Sequence, residues 1–358
     1  MSELKFNVPR SLLSNNKMLR RQFLDEYFPS GLIPFEQGIG NEWEITAFTP
    51  LDSDYYVDPN LNETLKKWQH PIAIENIGNY RSFYKNSMIS FYDSWSVYFW
   101  SLLTSFLVKN NEEKPITYTL LHIDDHKDLS SPLIVEDNTG YRSLLTKEKV
   151  TFLEPDSIER AISTKSIGID SFILPLLVNS DTLDIFHIRY AHNNKPNSYN
   201  LKILKEADTL LSRENERITL KLCNDPSVYS YSICDENFFF KNKIKQDSII
   251  LLHFDCDAFI NRYNLDMNWT PRTVSIDLGL SEIKEKVLKL IKNLESLPNP
   301  IFVNIALSPG FFPAEHWEEI CDFLIITCEK SGIIKNDEFS EYIREKYSSE
   351  LQYELQSD

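Results

Sequence analysis

Acidic and imidazole side chains alternate at residues 117–129, TYTLLHIDDHKDL, where their types and spacing suit metal chemistry. An apolar stretch ends there in Asp124, His126 and Asp128. Residues two apart in an extended chain point to the same side, so these three side chains converge. Two carboxylates and an imidazole that meet beside a buried strand are costly unless a positive charge binds them. The pattern predicts a site for a divalent metal ion.

A second stretch, SIILLHFDCDAF at residues 248–259, has the same organisation and ends in Asp255 and Asp257. The two stretches together provide four carboxylates and one imidazole, which suit Mn²⁺ or Mg²⁺ better than a zinc site built from thiolates. This set is large enough for two ions that share bridging carboxylates. The alternative interpretation is that these acids are solvated, or cap helices, at two strand ends.

Asp93 also lies where a predicted strand ends, like the acids of the two stretches above. SMISFYD at residues 87–93 has the pattern of a strand, and SWSVYFWSLLTSFLV that of the following helix, so Asp93 lies at a strand's C-terminal end. It is either a metal ligand, or a support for one, or a residue that caps the helix. His122 and His253 each precede an acid by two residues and share its face. They either hydrogen-bond to the ligands or are ordinary buried histidines.

The elements that carry these residues alternate between strand and helix. PIFVNIAL at residues 300–307 is a third apolar strand, and residues 280–294 have the spacing of an amphipathic helix. Continuously apolar strands indicate a parallel sheet covered on both faces, whose chemistry gathers at the C-terminal strand ends. We therefore predict an α/β protein with three layers, α/β/α, and a mostly parallel central sheet. Residues 202–209 have the composition of a helix.

Composition and charge restrict the partners and the compartment. The chain has 358 residues, of which 42% are hydrophobic, and a net charge of −16, which argues against nucleic acid or an anionic membrane as partner. It has no apolar run of membrane-spanning length, no signal-peptide pattern and no glycine-rich phosphate loop. Five scattered cysteines without a C-x-x-C pair indicate reduced thiols in a cytoplasmic protein.

The chain is interpreted as two parts. Residues 1–80 begin with a basic helical patch, continue into a stretch punctuated by proline and glycine, and form an N-terminal appendage packed on the main domain. Residues 81–358 form that main domain and contain the acid-bearing strands.

The motifs resemble those of a known superfamily. DDHKD at residues 124–128 resembles the D-A-H-x-D motif of arginases, agmatinases and histone deacetylases, and FDCD at residues 254–257 resembles their F-D-x-D motif. The fuller segments LHIDDHKDL, HFDCDAF and ALSPGFFP are more similar to a divergent branch that includes the peptide arginases of bacterial ribosomal-peptide pathways. Those enzymes convert arginine side chains of a precursor peptide to ornithine. The resemblance covers about residues 85–330 and implies an arginase-like fold.

The resemblance also implies metal ligands. Asp124 and Asp255 would each touch both of two Mn²⁺ ions. Asp128 would complete the shell of one ion, and His126 and Asp257 would belong to the other.

One position departs from the family pattern. Arginases take a further histidine from an earlier strand, and the related branch shows D-x-H there. This chain has Asp93-Ser94-Trp95, so Trp95 stands where that histidine is expected. Either Asp93 or a water fills the place, or one site is weakened and the number of Mn²⁺ ions falls from two to one.

The implied reaction is hydrolysis of a guanidinium group to urea, by attack of a hydroxide generated between two metal ions. Asp128 would pass a proton to the leaving nitrogen. Glu315, after SPGFFPA, would hold the guanidinium group. His192 would move protons at the mouth of the site, with His187 and His316 as other candidates.

Other functions remain open at this point. The same scaffold with one metal could hydrolyse an amide, as in deacetylation; it could act on free arginine or agmatine; or it could be a binding protein that has lost its chemistry. The predicted rim loops carry aromatic, amide and charged side chains, which either contact an extended arginine-containing peptide or simply pack the loops against the core. The resemblance favours the peptide over a small zwitterion. These rim residues are Tyr263, Asn268, Trp269, Arg272, Phe311, Phe312 and His316.

Overall fold

The computed structural model describes residues 3–28, 33–48, 58–110, 115–190, 196–212, 215–234, 244–263, 276–347 and 351–353. Four residues with predicted roles, His192, Asn268, Trp269 and Arg272, lie outside these ranges.

The strands in chain order are β1 (Glu3–Pro9), β2 (Ile33–Ile39), β3 (Glu42–Phe48), β4 (Arg81–Tyr84), β5 (Ser87–Ser90), β6 (Thr117–Ile123), β7 (Ile134–Asp137), β8 (Gly140–Ser143), β9 (Lys149–Val150), β10 (Thr182–Ile188), β11 (Asn197–Ala207), β12 (Glu216–Cys223), β13 (Tyr229–Cys234), β14 (Ile249–Asp255), β15 (Ile260–Asn261), β16 (Ile276–Asp277), β17 (Ile301–Ala306) and β18 (Leu351–Gln352). The α-helices are α1 (Lys17–Tyr27), α2 (Leu61–Lys67), α3 (Trp95–Asn110), α4 (Pro155–Ser163), α5 (Ile173–Val178), α6 (Leu280–Leu294), α7 (Trp317–Lys330) and α8 (Glu338–Lys346).

One large sheet organises the main domain. Within the described residues it has thirteen strands in the order β18-β4-β5-β17-β14-β6-β10-β13-β11-β12-β7-β8-β9. The six central strands, from β5 to β13, are parallel to one another, whereas β11, β12, β7, β8 and β9 extend the sheet by antiparallel pairing. Parallel strands end at the same edge, so residues that follow β5, β6, β14 and β17 are brought together.

Helices cover both faces of this sheet. Leu121 on β6 packs with the core that includes α6 and α7, whereas its neighbour Leu120 packs with the core of α3, α4, α5 and α8. Because both faces are buried, the central strands are apolar at successive positions. The predicted three-layer α/β/α fold with a mostly parallel central sheet is confirmed.

The helix predicted for residues 202–209 is wrong, because most of this segment belongs to the antiparallel strand β11. Its charged side chains stand on a half-exposed ribbon paired with β12, where Lys202 lies opposite Lys221. Pairing with a distant strand overrides local composition here.

The N-terminal residues form their own small sheet, with strand order β1-β3-β2. Its core, with Leu24 from α1 and Ile45 from β3, is completed by Leu133 and Val135 of the main domain. Residues of α2, such as Leu65, belong to the core of the main domain. The helix α2 therefore packs with the main domain, although it lies within residues 1–80. Among the described helices, none combines the length and the apolar character needed to cross a membrane.

Candidate metal centre

Five carboxyl groups lie together at the C-terminal edge of the central strands. Asp93 follows β5, Asp124 follows β6, and Asp255 is the last residue of β14. Asp128 and Asp257 lie in the connections after β6 and β14. The side chains are buried, with at most 6% of each residue exposed. Asp124 and Asp255 come side by side because β6 and β14 are adjacent parallel strands in which Ile123 is paired with Phe254.

Local hydrogen bonds orient two of these carboxylates. The backbone N–H of His126 donates to Asp124 Oδ1 at 2.6 Å, and that of Asp257 donates to Asp255 Oδ1 at 3.1 Å. Ser308 Oγ also donates to Asp255 Oδ1. Ser308 and Asp128 have left-handed backbones, with φ of 42° and 49°, which is uncommon for residues other than glycine and is often found at functional sites.

Two sets of side chains have the spacing of metal ligands. Asp124, His126 and Asp257 each offer an atom within 4.8 Å of the others, and so do Asp93, Asp124 and Asp255. Asp124 belongs to both sets, as a carboxylate that bridges two ions would. A third set, His122, Asp124 and His253, lies below them in the sheet. The structure thus brings together all six residues predicted as metal ligands.

Several of the buried oxygens have no hydrogen-bond partner in the part of the chain that the structure describes. These are Asp124 Oδ2, Asp128 Oδ2 and Asp257 Oδ2. A buried carboxylate oxygen without a partner costs free energy unless a cation compensates it. The oxygen-rich donor set with one or two imidazoles fits Mn²⁺ or Mg²⁺.

Burial and mutual repulsion perturb the protonation of the cluster. Desolvation, followed by repulsion from neighbouring carboxylates, raises the pKa of Asp93, Asp124 and Asp255 well above the ordinary aspartate value. Desolvation raises the pKa of Asp128 to about 8. Burial alone would lower the pKa of His126, but the negative charges of Asp257 and Asp124 outweigh burial and raise it. The cluster is therefore deficient in positive charge.

Four of the five carboxylates, all except Asp124, line a cavity of about 610 Å³. Tyr92, Leu129, Ile169 and Phe311 add apolar surface to its wall, and Asp170 adds a further carboxylate. The remaining residues of the lining are Asp93, Asp125, His126, Lys127, Asp128, Ser130, Arg189, Asp255, Asp257 and Ser308.

Asp125 joins three segments of the site, a role that the sequence motifs did not indicate. Its carboxylate accepts from Arg189 at 3.2 Å and from Asn261 at 3.0 Å, and its own backbone N–H donates to Asp257 Oδ1 at 3.2 Å. Arg189 lines the cavity beside it. The adjacent acids at positions 124 and 125 were the available signal, but they do not identify the distant partners.

Trp95 does not point into the metal centre. Its indole N–H donates to the carbonyl of Gly78 at 2.9 Å, and the guanidinium of Arg81 lies 4.2 Å from the ring centroid. Asp93, two residues earlier, is the residue of this segment that reaches the cluster.

Apart from Asp128, none of the residues predicted to bind substrate or transfer protons joins the acid cluster within the described part of the chain. Glu315 is absent from the cavity lining, and its carboxylate accepts from Arg262 at 2.9 Å and Asn60 at 3.0 Å. The guanidinium-binding role predicted for Glu315 therefore has no support in this geometry, because the protein's own arginine occupies that carboxylate. His192 lies outside the described residues. His187 is fully buried and contacts Tyr231 OH and the carbonyl of Asp124.

Only some of the predicted rim residues that the structure describes lie at the cavity. Phe311 lines the cavity and makes an edge contact with His126, with ring centroids 5.2 Å apart. Phe312 and Tyr263 are buried in the protein instead, and His316 lies outside the cavity lining.

No protein-family profile matches this chain, and no curated protein is significantly similar to it.

Proposed function

We propose that this protein is a Mn²⁺-dependent hydrolase that converts arginine side chains of a peptide to ornithine and releases urea. The observation that carries the proposal is the pair of ligand sets that share Asp124, whose other acidic members line the cavity. The motif resemblance and this geometry independently favour a binuclear metallohydrolase of the arginase type.

The charge of the cluster favours two ions over one. Two divalent ions would balance four of the five carboxylates in the buried cluster, whereas one ion would balance only two. When bound, two such ions would lower the pKa of a water between them and supply hydroxide near neutral pH. Asp124, His126 and Asp257 would hold one ion, and Asp93, Asp124, Asp128 and Asp255 would hold the other.

The cavity suits a cationic group on an apolar stem. Tyr92, Leu129, Ile169 and Phe311 in its wall can pack against methylene groups, and the carboxylates of the same lining can attract the charged end. Asp170 replaces Glu315 in this proposal as the carboxylate that attracts the guanidinium, because it lines the cavity. Its loop is fixed by the backbone N–H of Ser130, which donates to the Asp170 carbonyl at 2.9 Å.

Asp128 is the proposed proton carrier. In the reaction, hydroxide adds to the guanidinium carbon, the bond from that carbon to the side-chain nitrogen breaks, and the nitrogen leaves as an amine that needs a proton. Asp128 lines the cavity, so its carboxylate could take the proton of the added hydroxyl group and pass it to the leaving nitrogen.

A second cavity supports a peptide substrate. It has a volume of about 370 Å³ and lies against α1, with Phe23 and Tyr27 in its wall. Ser130 lines both cavities, so the second cavity borders the one at the proposed metal centre. A chain that continues beyond the arginine could occupy it, whereas free arginine would not need it.

The proposed location is the cytoplasm. The five cysteines are unpaired, and four of them are buried, which fits a reducing compartment.

The test is direct. Metal-free protein is reloaded with Mn²⁺, incubated with an arginine-containing peptide and examined by mass spectrometry. The expected result is a mass decrease equal to CN₂H₂ per arginine, together with release of urea. A peptide of unchanged mass at two bound Mn²⁺ per chain would contradict the reaction; loss of an acyl group from an acyl-lysine peptide at one metal per chain would favour the amide-hydrolysis alternative.

A further inference from the structure

Histidines occupy the same register position on three neighbouring central strands. His122 on β6 is paired with His187 on β10 and with His253 on β14. The three side chains are fully buried, although the whole chain has only seven histidines. A row of imidazoles directly below the acid cluster needs an explanation, since buried polar groups are costly without partners.

His122 faces the acid cluster with an atom that has no hydrogen-bond partner. Its Nε2 lies 3.3 Å from Asp128 Oδ2 and 3.5 Å from Asp124 Oδ2. The nitrogen and both oxygens are buried, and none makes a hydrogen bond within the described part of the chain. Donor atoms about 2.1 Å from one ion lie roughly 3.0–3.5 Å apart in octahedral or tetrahedral shells. The three atoms therefore have the spacing of ligands around one cation.

We infer that His122 is a metal ligand, and that it supplies to the ion held by Asp128 the imidazole that is missing at Trp95. This assignment rests on the metal site of the proposed function, but not on the reaction. The same relationship recurs at the other ion, where His126 Nδ1 lies 2.9 Å from Asp257 Oδ2 and 3.6 Å from Asp124 Oδ1. Asp124 thus directs one carboxylate oxygen towards each imidazole.

His253 completes the arrangement. Its Nδ1 lies 3.0 Å from His122 Nδ1, so only one proton can lie between the two rings. A ligating Nε2 must carry a lone pair, which places the proton of neutral His122 on Nδ1 and makes His253 Nδ1 the acceptor. Ligating histidines characteristically donate their other ring N–H in this way. If His122 were only a hydrogen-bond donor to the carboxylates, the proton would lie on Nε2 and the His122–His253 bond would be reversed.

The experiment compares the wild type with His122→Phe and His187→Phe, after metal removal and reloading. Phenylalanine preserves a ring at either position, and His187 is a matched control because it is equally buried in the same row. Bound Mn²⁺ is counted by elemental analysis and titration. In Co²⁺-loaded protein, each directly ligated imidazole is counted by the paramagnetic shift of its remaining ring N–H in the NMR spectrum. Circular dichroism checks the fold of each variant.

The wild type is expected to bind two ions and to show two ligated imidazoles. His122→Phe should keep one tight ion, lose one ligated imidazole, and weaken the other ion by more than the roughly 10- to 100-fold typical of losing a residue that only supports a ligand. His187→Phe should keep both ions and both shifted resonances.

An unchanged ion count and an unchanged number of shifted resonances in His122→Phe would overturn the assignment. Weaker metal binding with an unchanged number of shifted resonances would also overturn it, because His122 would then be a hydrogen-bond donor that only supports a ligand. If His122→Phe fails to fold, the wild-type spectrum decides: one ligated imidazole overturns the inference and two support it. Two bound ions without arginine hydrolysis would contradict only the reaction.

Discussion

His126 Nδ1 lies 2.9 Å from Asp257 Oδ2, although these residues follow different strands and are 131 positions apart. The contact exists because β6 and β14 are adjacent and parallel, which brings both connections to one edge of the sheet. Despite this approach, Asp257 Oδ2 has no hydrogen-bond partner of regular geometry among the described residues. A close imidazole and carboxylate without a hydrogen bond between them is the arrangement expected of two ligands that share a metal ion.

The first prediction is that Asp255→Asn strongly lowers metal affinity and turnover without destabilising the metal-free protein. The amide keeps the oxygen that accepts from Ser308 and from the backbone of Asp257, but it removes a charge from a cluster whose carboxylates repel one another. We expect Mn²⁺ affinity and kcat/KM to fall together by about 100-fold or more, with an equal or higher Tm in EDTA.

The matched control is Asp247→Asn, since Asp247 is exposed before the start of the same strand, β14. It should leave metal binding and turnover unchanged. Wild-type turnover in Asp255→Asn would remove Asp255 from the site, whereas a lower Tm in EDTA would make its role structural.

The second prediction concerns pH. Desolvation raises the pKa of Asp128 to about 8 in the folded protein, from about 4 when unfolded. The folded metal-free state then holds more protons than the unfolded state between these values, so stability falls as pH rises through this window. Metal binding must displace those protons, so Mn²⁺ affinity should rise over the same range.

Thermal unfolding between pH 5 and 8, with EDTA and with Mn²⁺, measures both effects. Tm in EDTA should decrease with pH, and the increase in Tm caused by Mn²⁺ should grow. A Mn²⁺ effect that is constant across this range would contradict the protonated cluster. Asp128→Asn should make both changes with pH smaller: the decrease of Tm in EDTA and the growth of the Tm increase caused by Mn²⁺.

Alternation along the chain was sufficient to predict which side chains gather in the acid cluster. Asp124, His126 and Asp128 follow one apolar strand, and the topology of parallel sheets brings such strand ends together. Asp125 and Asn261 could not be paired in this way, because they are 136 positions apart and neither belongs to a periodic motif. The hydrogen bonds that Glu315 accepts from Arg262 and Asn60 are likewise determined only by the folded chain.

The third prediction is that Trp95→His does not create a metal ligand. The indole points to the Gly78 carbonyl and packs beneath Arg81, so a histidine at this position would lose both contacts. We expect an unchanged metal count and a loss of about 3 kcal/mol in the free energy of unfolding. Urea unfolding and elemental analysis provide the two measurements. Trp95→Phe keeps most of the packing and should cost less; a gain in metal affinity from histidine would show that this position faces the centre.

The fourth prediction tests the guanidinium-binding carboxylate. Asp170→Asn should raise KM for an arginine peptide by about tenfold with a smaller effect on kcat, because its charge acts mainly in attracting the cationic group. Glu315→Gln should have little effect on KM, since Glu315 is bound by Arg262 and lies outside the cavity lining. Steady-state kinetics of both variants at saturating Mn²⁺ separates the two carboxylates. The opposite ranking would restore Glu315 as the substrate ligand.

The last prediction concerns substrate length. The second cavity lies between α1 and the main sheet and shares Ser130 with the first, so a peptide can gain contacts that free arginine cannot. We expect kcat/KM for arginine within a peptide to exceed that for free arginine by at least about tenfold, equivalent to roughly 1.4 kcal/mol of transition-state binding.

Phe23→Ala removes a side chain from the second cavity and should reduce this preference without changing turnover of free arginine. Met18→Ala, at an exposed position of the same helix that does not line the cavity, should leave both substrates unaffected. Equal or better turnover of free arginine by the wild type would instead identify a small-molecule ureohydrolase, because the second cavity would then contribute nothing to catalysis.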